Sequence, residues 1–329
     1  MIWLTWRQHR KQALSTAIGL AILAALMIPT GLAMHNAFDS YGLAECVRKI
    51  GQDQLVPSMG ETCNTAFNRF NNQFATFGMV GVLFLVLPLL VGLFWGAPLV
   101  AREVEQGTHR LVWTQCVSRG RWALVKFGFV GAAALIAAAI YGLGISWWLE
   151  PLSQAGQLSR FNILVFDMQG LVPIGYTLFA VALGIFAGTV WQKVLPAMAV
   201  TLVGLIGLRL AVAIFARPHF LSPETLTYPV KDTILGPNRT LGDWVLNYGI
   251  RDASGKMVVA NSEIACPPNA TGPGADCGAG LGIGPGAYNW MLYQPASRFW
   301  LFQGIETGIF IGLAALLLYI AIRRIRRIA

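Results

Sequence analysis

Six stretches of this sequence run for twenty or more residues almost without charge: Ala13–Met34, Thr76–Ala101, Trp122–Leu149, Gly170–Trp191, Val194–Ala216 and Phe299–Ile322. A helix rising ~1.5 Å per residue needs roughly 20 such residues to cross a hydrocarbon core of ~30 Å. Soluble domains carry about 25% charged residues; this chain carries 12%, with 55% hydrophobic. The fold class expected is therefore an all-α polytopic membrane protein with six transmembrane helices. The first run is too long for the apolar core of a cleavable signal peptide and lacks a small-residue cleavage site after it.

An even number of spans places both termini on one side, and Lys and Arg decide which. With cytoplasmic termini, the inner segments hold 13 basic residues against two acids, Glu103 and Glu105. The outer segments hold ten basic residues against 12 acidic ones, over much longer loops. Inner loops are enriched in Lys and Arg, so a multi-pass plasma-membrane protein with both termini cytoplasmic is expected. The net charge of +9 is then a topology signal and implies no nucleic acid.

The cysteines agree with that orientation. Cys46 and Cys63 fall in the first outer loop, Cys266 and Cys277 in the third, and Cys116 stands alone inside. Even numbers on an oxidising side predict Cys46–Cys63 and Cys266–Cys277 disulfides.

Four regions follow. Residues 1–12 (MIWLTWRQHRKQ) pair tryptophans with cations, as an interfacial helix does. Residues 13–216 hold spans one to five, with Pro88 and Pro98 set to bend span two. Residues 217–298 hold nine of the 16 prolines and a glycine run, which reads as a loop-rich extracellular cap. Its strands are expected to be short, as in VLNYGI and KMVVA around the turn-like DASG. Residues 299–329 form span six and a basic tail.

Chemistry is sparse. No GxxxxGK[ST] loop, HExxH helix, CxxC pair or GxSxG elbow occurs, and His9, His35, His109 and His219 are scattered, so neither a catalytic nor a metal site is expected. Two ionisable residues lie inside spans. Arg209 and Glu306 are each eight residues from the outer ends of spans five and six, about 12 Å deep. Intramembrane charges are costly unless paired, so an Arg209–Glu306 salt bridge is expected, either a structural clamp or a polar lining for a path. Gly184 and Gly188 form a GxxxG in span four, a helix-packing device.

Between spans two and three lies REVEQGTHRLVWTQCVSRGRW, residues 102–122. Gly107 is a helix stop, Thr108 can cap a short helix over His109–Gln115, and Ser118 can cap the next. Leu111, Val112 and Trp113 give that helix something to bury. The pattern R-E-x-E-x-G-T-x-x-L-x-x-x-x-x-x-S-R-x-x-W after a second span resembles the permease subunits of ATP-binding-cassette exporters. MIWLTWRQHR, FDMQG and YQPASRFWLFQGIE resemble actinobacterial members of that group.

The resemblance implies a coupling helix at 102–121 that docks into a separate ATPase subunit, with Glu103, Glu105, Gly107, Thr108, Arg110, Trp113 and Arg119 as its contact residues, Trp113 foremost. It also implies a second permease subunit, identical or different, and a hydrophobic or amphipathic substrate. No cofactor is then expected on this chain, with ATP and Mg held by the partner, and no enzymatic activity of its own. Cys116 stands where relatives often carry proline, and the cap is longer than in many members. Two other classes remain on the residues alone: a membrane-embedded enzyme, and a sensor or assembly protein whose cap binds a ligand without transport.

Overall fold

The computed structural model describes residues 2–51, 61–81, 85–107, 118–156, 159–230, 242–264, 283 and 286–327. Six of its helices are long and apolar enough to cross a membrane: Gln12–Ser40, Leu87–Glu105, Gly120–Gln154, Val172–Trp191, Val194–His219 and Ala296–Ile325. We call these spans one to six. Span four is the axis of the bundle: 72% of its most apolar window is buried, against 22% for spans five and six. Its position follows from small residues that let neighbouring backbones approach.

Residues 2–12 are not set apart from span one. Ile2–Ser40 is a single helix of 39 residues: no glycine or proline interrupts it near Gln12, and Ser15 donates its hydroxyl back to the Gln12 carbonyl rather than capping a new start. The expected first outer loop is also largely helical. Leu43–Gly51 and Glu61–Gly81 form a hairpin, joined by a Cys46–Cys63 disulfide. Phe67, Phe70 and Phe74 recur at helical spacing and pack on Phe38, Ile145 and Leu149. Span two therefore begins at Leu87 rather than at Thr76, which belongs to the hairpin.

Span two contains a π-helical turn, Gly92–Gly96, between its two prolines. Pro98 has no N–H to offer the carbonyl of Phe94 four residues back. That carbonyl instead accepts Nε2 of Gln12 from span one, at 3.2 Å, as freed backbone groups in membranes must be re-satisfied by neighbours.

The 220–298 region departs from an all-α chain. It holds a four-stranded antiparallel sheet of order β1-β4-β2-β3, with β1 Glu224–Pro229, β2 Trp244–Arg251, β3 Met257–Ala260 and β4 Tyr288–Gln294. The β-branched and aromatic content of VLNYGI and MVVA accounts for β2 and β3. Between them Asp252 Oδ1 accepts the N–H groups of Ser254 (2.9 Å) and Lys256 (3.0 Å), and Gly255 supplies the left-handed φ of +86°. The hydroxyl of Ser254, at 2.6 Å, is the main cause that holds Asp252 below the usual carboxylate range.

Glu263, which accepts the Tyr228 hydroxyl of β1, is shifted the other way: partial desolvation raises its pKa. The folded domain then takes up this proton before the unfolded chain does. The stabilisation is full below the unfolded value of 4.5 and is lost as pH rises through the folded one. The thermal midpoint of this domain should therefore fall as pH rises above the unfolded value of 4.5, and Glu263→Gln should flatten that slope.

Candidate functional site

Two sequence-distant segments interlock where spans four, five and six meet. Asn162 caps the short helix Ile163–Met168, its Oδ1 accepting Leu164 N–H at 3.0 Å. That helix tucks into the bundle with Phe166 and Asp167 buried. Gly170 turns the chain at φ +71°, and its N–H donates to Ser146 Oγ at 2.8 Å. From span six, buried Gln303 pins the turn on both sides. Its Oε1 accepts Leu171 and Val172 N–H, both at 2.9 Å, and its Nε2 donates to the Phe166 carbonyl at 2.9 Å. Two otherwise orphaned donors at the start of span four are thus satisfied by one amide.

Against this turn lies a relay of charges. Arg217 is 0% exposed; its Nε and Nη2 bind Glu306 as a fork, both at 2.8 Å. Nη2 also reaches Asp167 Oδ1 at 2.5 Å. The other oxygen of Asp167 accepts Arg209 Nε at 2.6 Å, and Glu306 accepts the Tyr176 hydroxyl at 2.5 Å. The Arg217 guanidinium lies 4.1 Å from the Phe166 ring centre, and that of Arg209 5.2 Å from Tyr176. Two arginines face two carboxylates, so the relay is electrically balanced, as buried charges must be. Arg209, with 18% of its side chain exposed, is its outer edge. Nη1 of Arg217 is buried and finds no acceptor among the described residues.

This corrects the expected Arg209–Glu306 bridge. Arg209 pairs with Asp167, and Glu306 pairs with Arg217. The reason is that span five does not stop before Arg217. A π-turn, Val212–Ala216, and a short 3-10 turn carry it on to His219, and the link before span four folds inward to supply Asp167. Each of these residues carries a visible signal, a lone charge in an apolar run, ILVFDM and AIFARPHF. By sequence position alone both fall in outer links, outside the six long apolar runs.

The opposite end of the bundle carries the second constellation. Glu103 near the end of span two pairs with buried Lys126 of span three, whose ammonium lies 5.1 Å from the Trp122 ring centre. Glu105 Oε2 accepts Val194 N–H at 3.1 Å, at the first residue of span five. Gly107 adopts φ +69° and ends span two. Ser118 caps the helix of span three, its Oγ accepting Arg121 N–H at 3.3 Å. Arg119 is the first residue of that helix; its side chain lies outside the described set. Thr108, Arg110 and Trp113 lie outside the described residues, as do Cys266 and Cys277.

Spans two and four connect the two ends. A Cβ on Gly184 would stand 2.5 Å from Ala97 N, and one on Gly96 2.6 Å from the Val181 carbonyl oxygen. Backbone therefore rests on backbone along GxxxG, as in close-packed membrane helices.

A bundle of six apolar helices closed by buried ion pairs is a multi-pass membrane protein. The ABC-2 membrane transporter related family matches residues 17–217, and the chain belongs to that family. The match spans the first five membrane helices and ends at Arg217. No curated protein and no solved structure matches the chain significantly.

Proposed function

We propose that the chain is the permease subunit of an ABC exporter, working with a second permease subunit and driven by separate ATPase subunits. The observation that carries this reading is the joining of three span ends at the base of the 102–121 segment. Glu103 ties span two to span three through Lys126, and Glu105 ties span two to the start of span five. A push on this segment is thereby delivered to spans two, three and five together, and through the glycine contact to span four. ABC-2 membership supports the same assignment, as does the excess of Lys and Arg on this side, which makes it cytoplasmic. The 220–298 domain then lies outside the cell, above the charge relay, where it covers the mouth of the path or receives the cargo. ATP and Mg stay on the partner.

The direct test is co-purification of the full-length chain with its ABC ATPase. The wild type should retain the ATPase, and Trp113→Asp should lose at least ten-fold of it while still inserting in the membrane. Gly107→Pro should keep the ATPase bound but uncouple ATP hydrolysis from transport, since proline cannot adopt φ +69°. Wild-type behaviour of both variants would overturn the assignment.

A further inference from the structure

A pocket of about 230 Å³ lies at the end of span three remote from the 102–121 segment, where the sheet domain meets the bundle. Ser153 and Gln154 line it from the end of span three, Arg160 and Phe161 from the link that follows, and Phe299 from span six. Val47 of the helix Leu43–Gly51 closes one side and Gly242, just before β2, another. Phe161 and Phe299 are buried, so the pocket has an aromatic floor.

Arg160 is the charged member of this lining, and it is partly buried. Its Nε donates to Ser153 Oγ at 3.3 Å, and its guanidinium lies 5.9 Å from the Phe299 ring centre. Among the described residues, Nη1 and Nη2 find no acceptor and no carboxylate pairs with the side chain. The neighbouring donors are already spent. Ser153 gives its hydroxyl to the Glu150 carbonyl at 2.9 Å, and Gln154 gives Nε2 to the Glu150 carboxylate at 3.1 Å. A guanidinium edge with two free nitrogens matches the two coplanar oxygens of a carboxylate. A phosphate would ask for further donors that these walls do not offer. Water can serve the arginine but gains nothing from Val47, Phe161 and Phe299, against which an apolar or aromatic body packs well. The volume falls below the ~300–1,000 Å³ of pockets for drug-sized ligands, so the body is small.

We propose that this pocket binds a small monocarboxylate with an apolar body, its carboxylate on the Arg160 fork and its body against Phe161 and Phe299. Because the walls come from the hairpin, span three, span six and the base of the sheet domain, the ligand also ties these parts together. The site stands apart from the transport reading, since it needs neither an ATPase nor the movement of a cargo.

The test is thermal unfolding and calorimetric titration of the full-length chain in detergent, with phenylacetate, its neutral amide phenylacetamide, and inorganic phosphate as probes. Phenylacetate should raise the wild-type midpoint, as any ligand of the folded state does, and bind about ten-fold or more tightly than the amide. Phosphate should do neither. Arg160→Gln should abolish the response, and Arg160→Lys, which keeps the charge without the fork, should weaken it several-fold. Val47→Trp fills the space from the hairpin side with Arg160 untouched and should block binding as well, which guards against misfolding of one variant. No wild-type response to phenylacetate at ~10 mM, where even a millimolar site is filled, would overturn the proposal. So would an equal response to the amide or to phosphate, or an undiminished response in either Arg160→Gln or Val47→Trp.

Discussion

Arg217→Met is expected to destabilise the purified protein by about 3–5 kcal/mol, the cost of leaving buried carboxylates without their cation. Glu306 would lose both bonds of the fork and Asp167 one of its two partners. Arg217→Lys keeps the charge but not the planar fork, and should fall between the two. Adding Glu306→Leu to Arg217→Met removes the uncompensated acid while Asp167 keeps Arg209, so most of the loss should be recovered. Thermal unfolding in detergent reads all three. Wild-type stability of Arg217→Met, or a double variant worse than the single, would show that the relay does not hold spans four, five and six together.

Gly184→Leu should be nearly as damaging, by a different route. The new side chain would meet Ala97 N at 2.5 Å, the Gly96 carbonyl carbon at 2.8 Å and the Gly92 oxygen at 3.0 Å, all backbone. None can rotate aside, so spans two and four must separate, with an overpacking cost of about 1–3 kcal/mol or more. Because span two ends at the segment proposed to dock the ATPase, that proposal further expects the variant to lose coupled ATP hydrolysis beyond what its stability predicts. Gly207→Leu on span five is the control, since a Cβ there meets nothing within 4 Å. Equal melting temperatures and equal coupling for the two variants would overturn the role given to this contact.

The spans were legible because hydropathy is a one-dimensional signal: each run of apolar residues reports its own length without reference to the others. The punctuation at Gly107 and Ser118 was legible for the same reason, since a left-handed glycine and a serine cap act within a few residues. The relay was only half legible. Arg209 and Glu306 stood out as charges in apolar runs, but partner choice depends on where the chain folds back. Nothing local says that Asp167 turns inward or that span five continues through a π-turn to Arg217. The sheet shows the same division. VLNYGI and KMVVA read as strands from composition, whereas the pairing of β1 with β4 joins residues some 69 apart, as Glu224 with Tyr293. Trp113 and its neighbours in the 102–121 segment are read from sequence alone.

That β1–β4 pairing bears on how such a chain can vary. The polypeptide leaves span five and re-enters span six side by side, clasped by Arg298 on Ser222 and Glu224 and by Gln294 on Leu221. Among the described residues between the two strands, Trp244 also returns to the bundle, stacking on Phe161 and packing edge-on against Phe302. Change in length is therefore best borne beyond Trp244, away from the two strands and the tryptophan that tie the domain to the helices beneath.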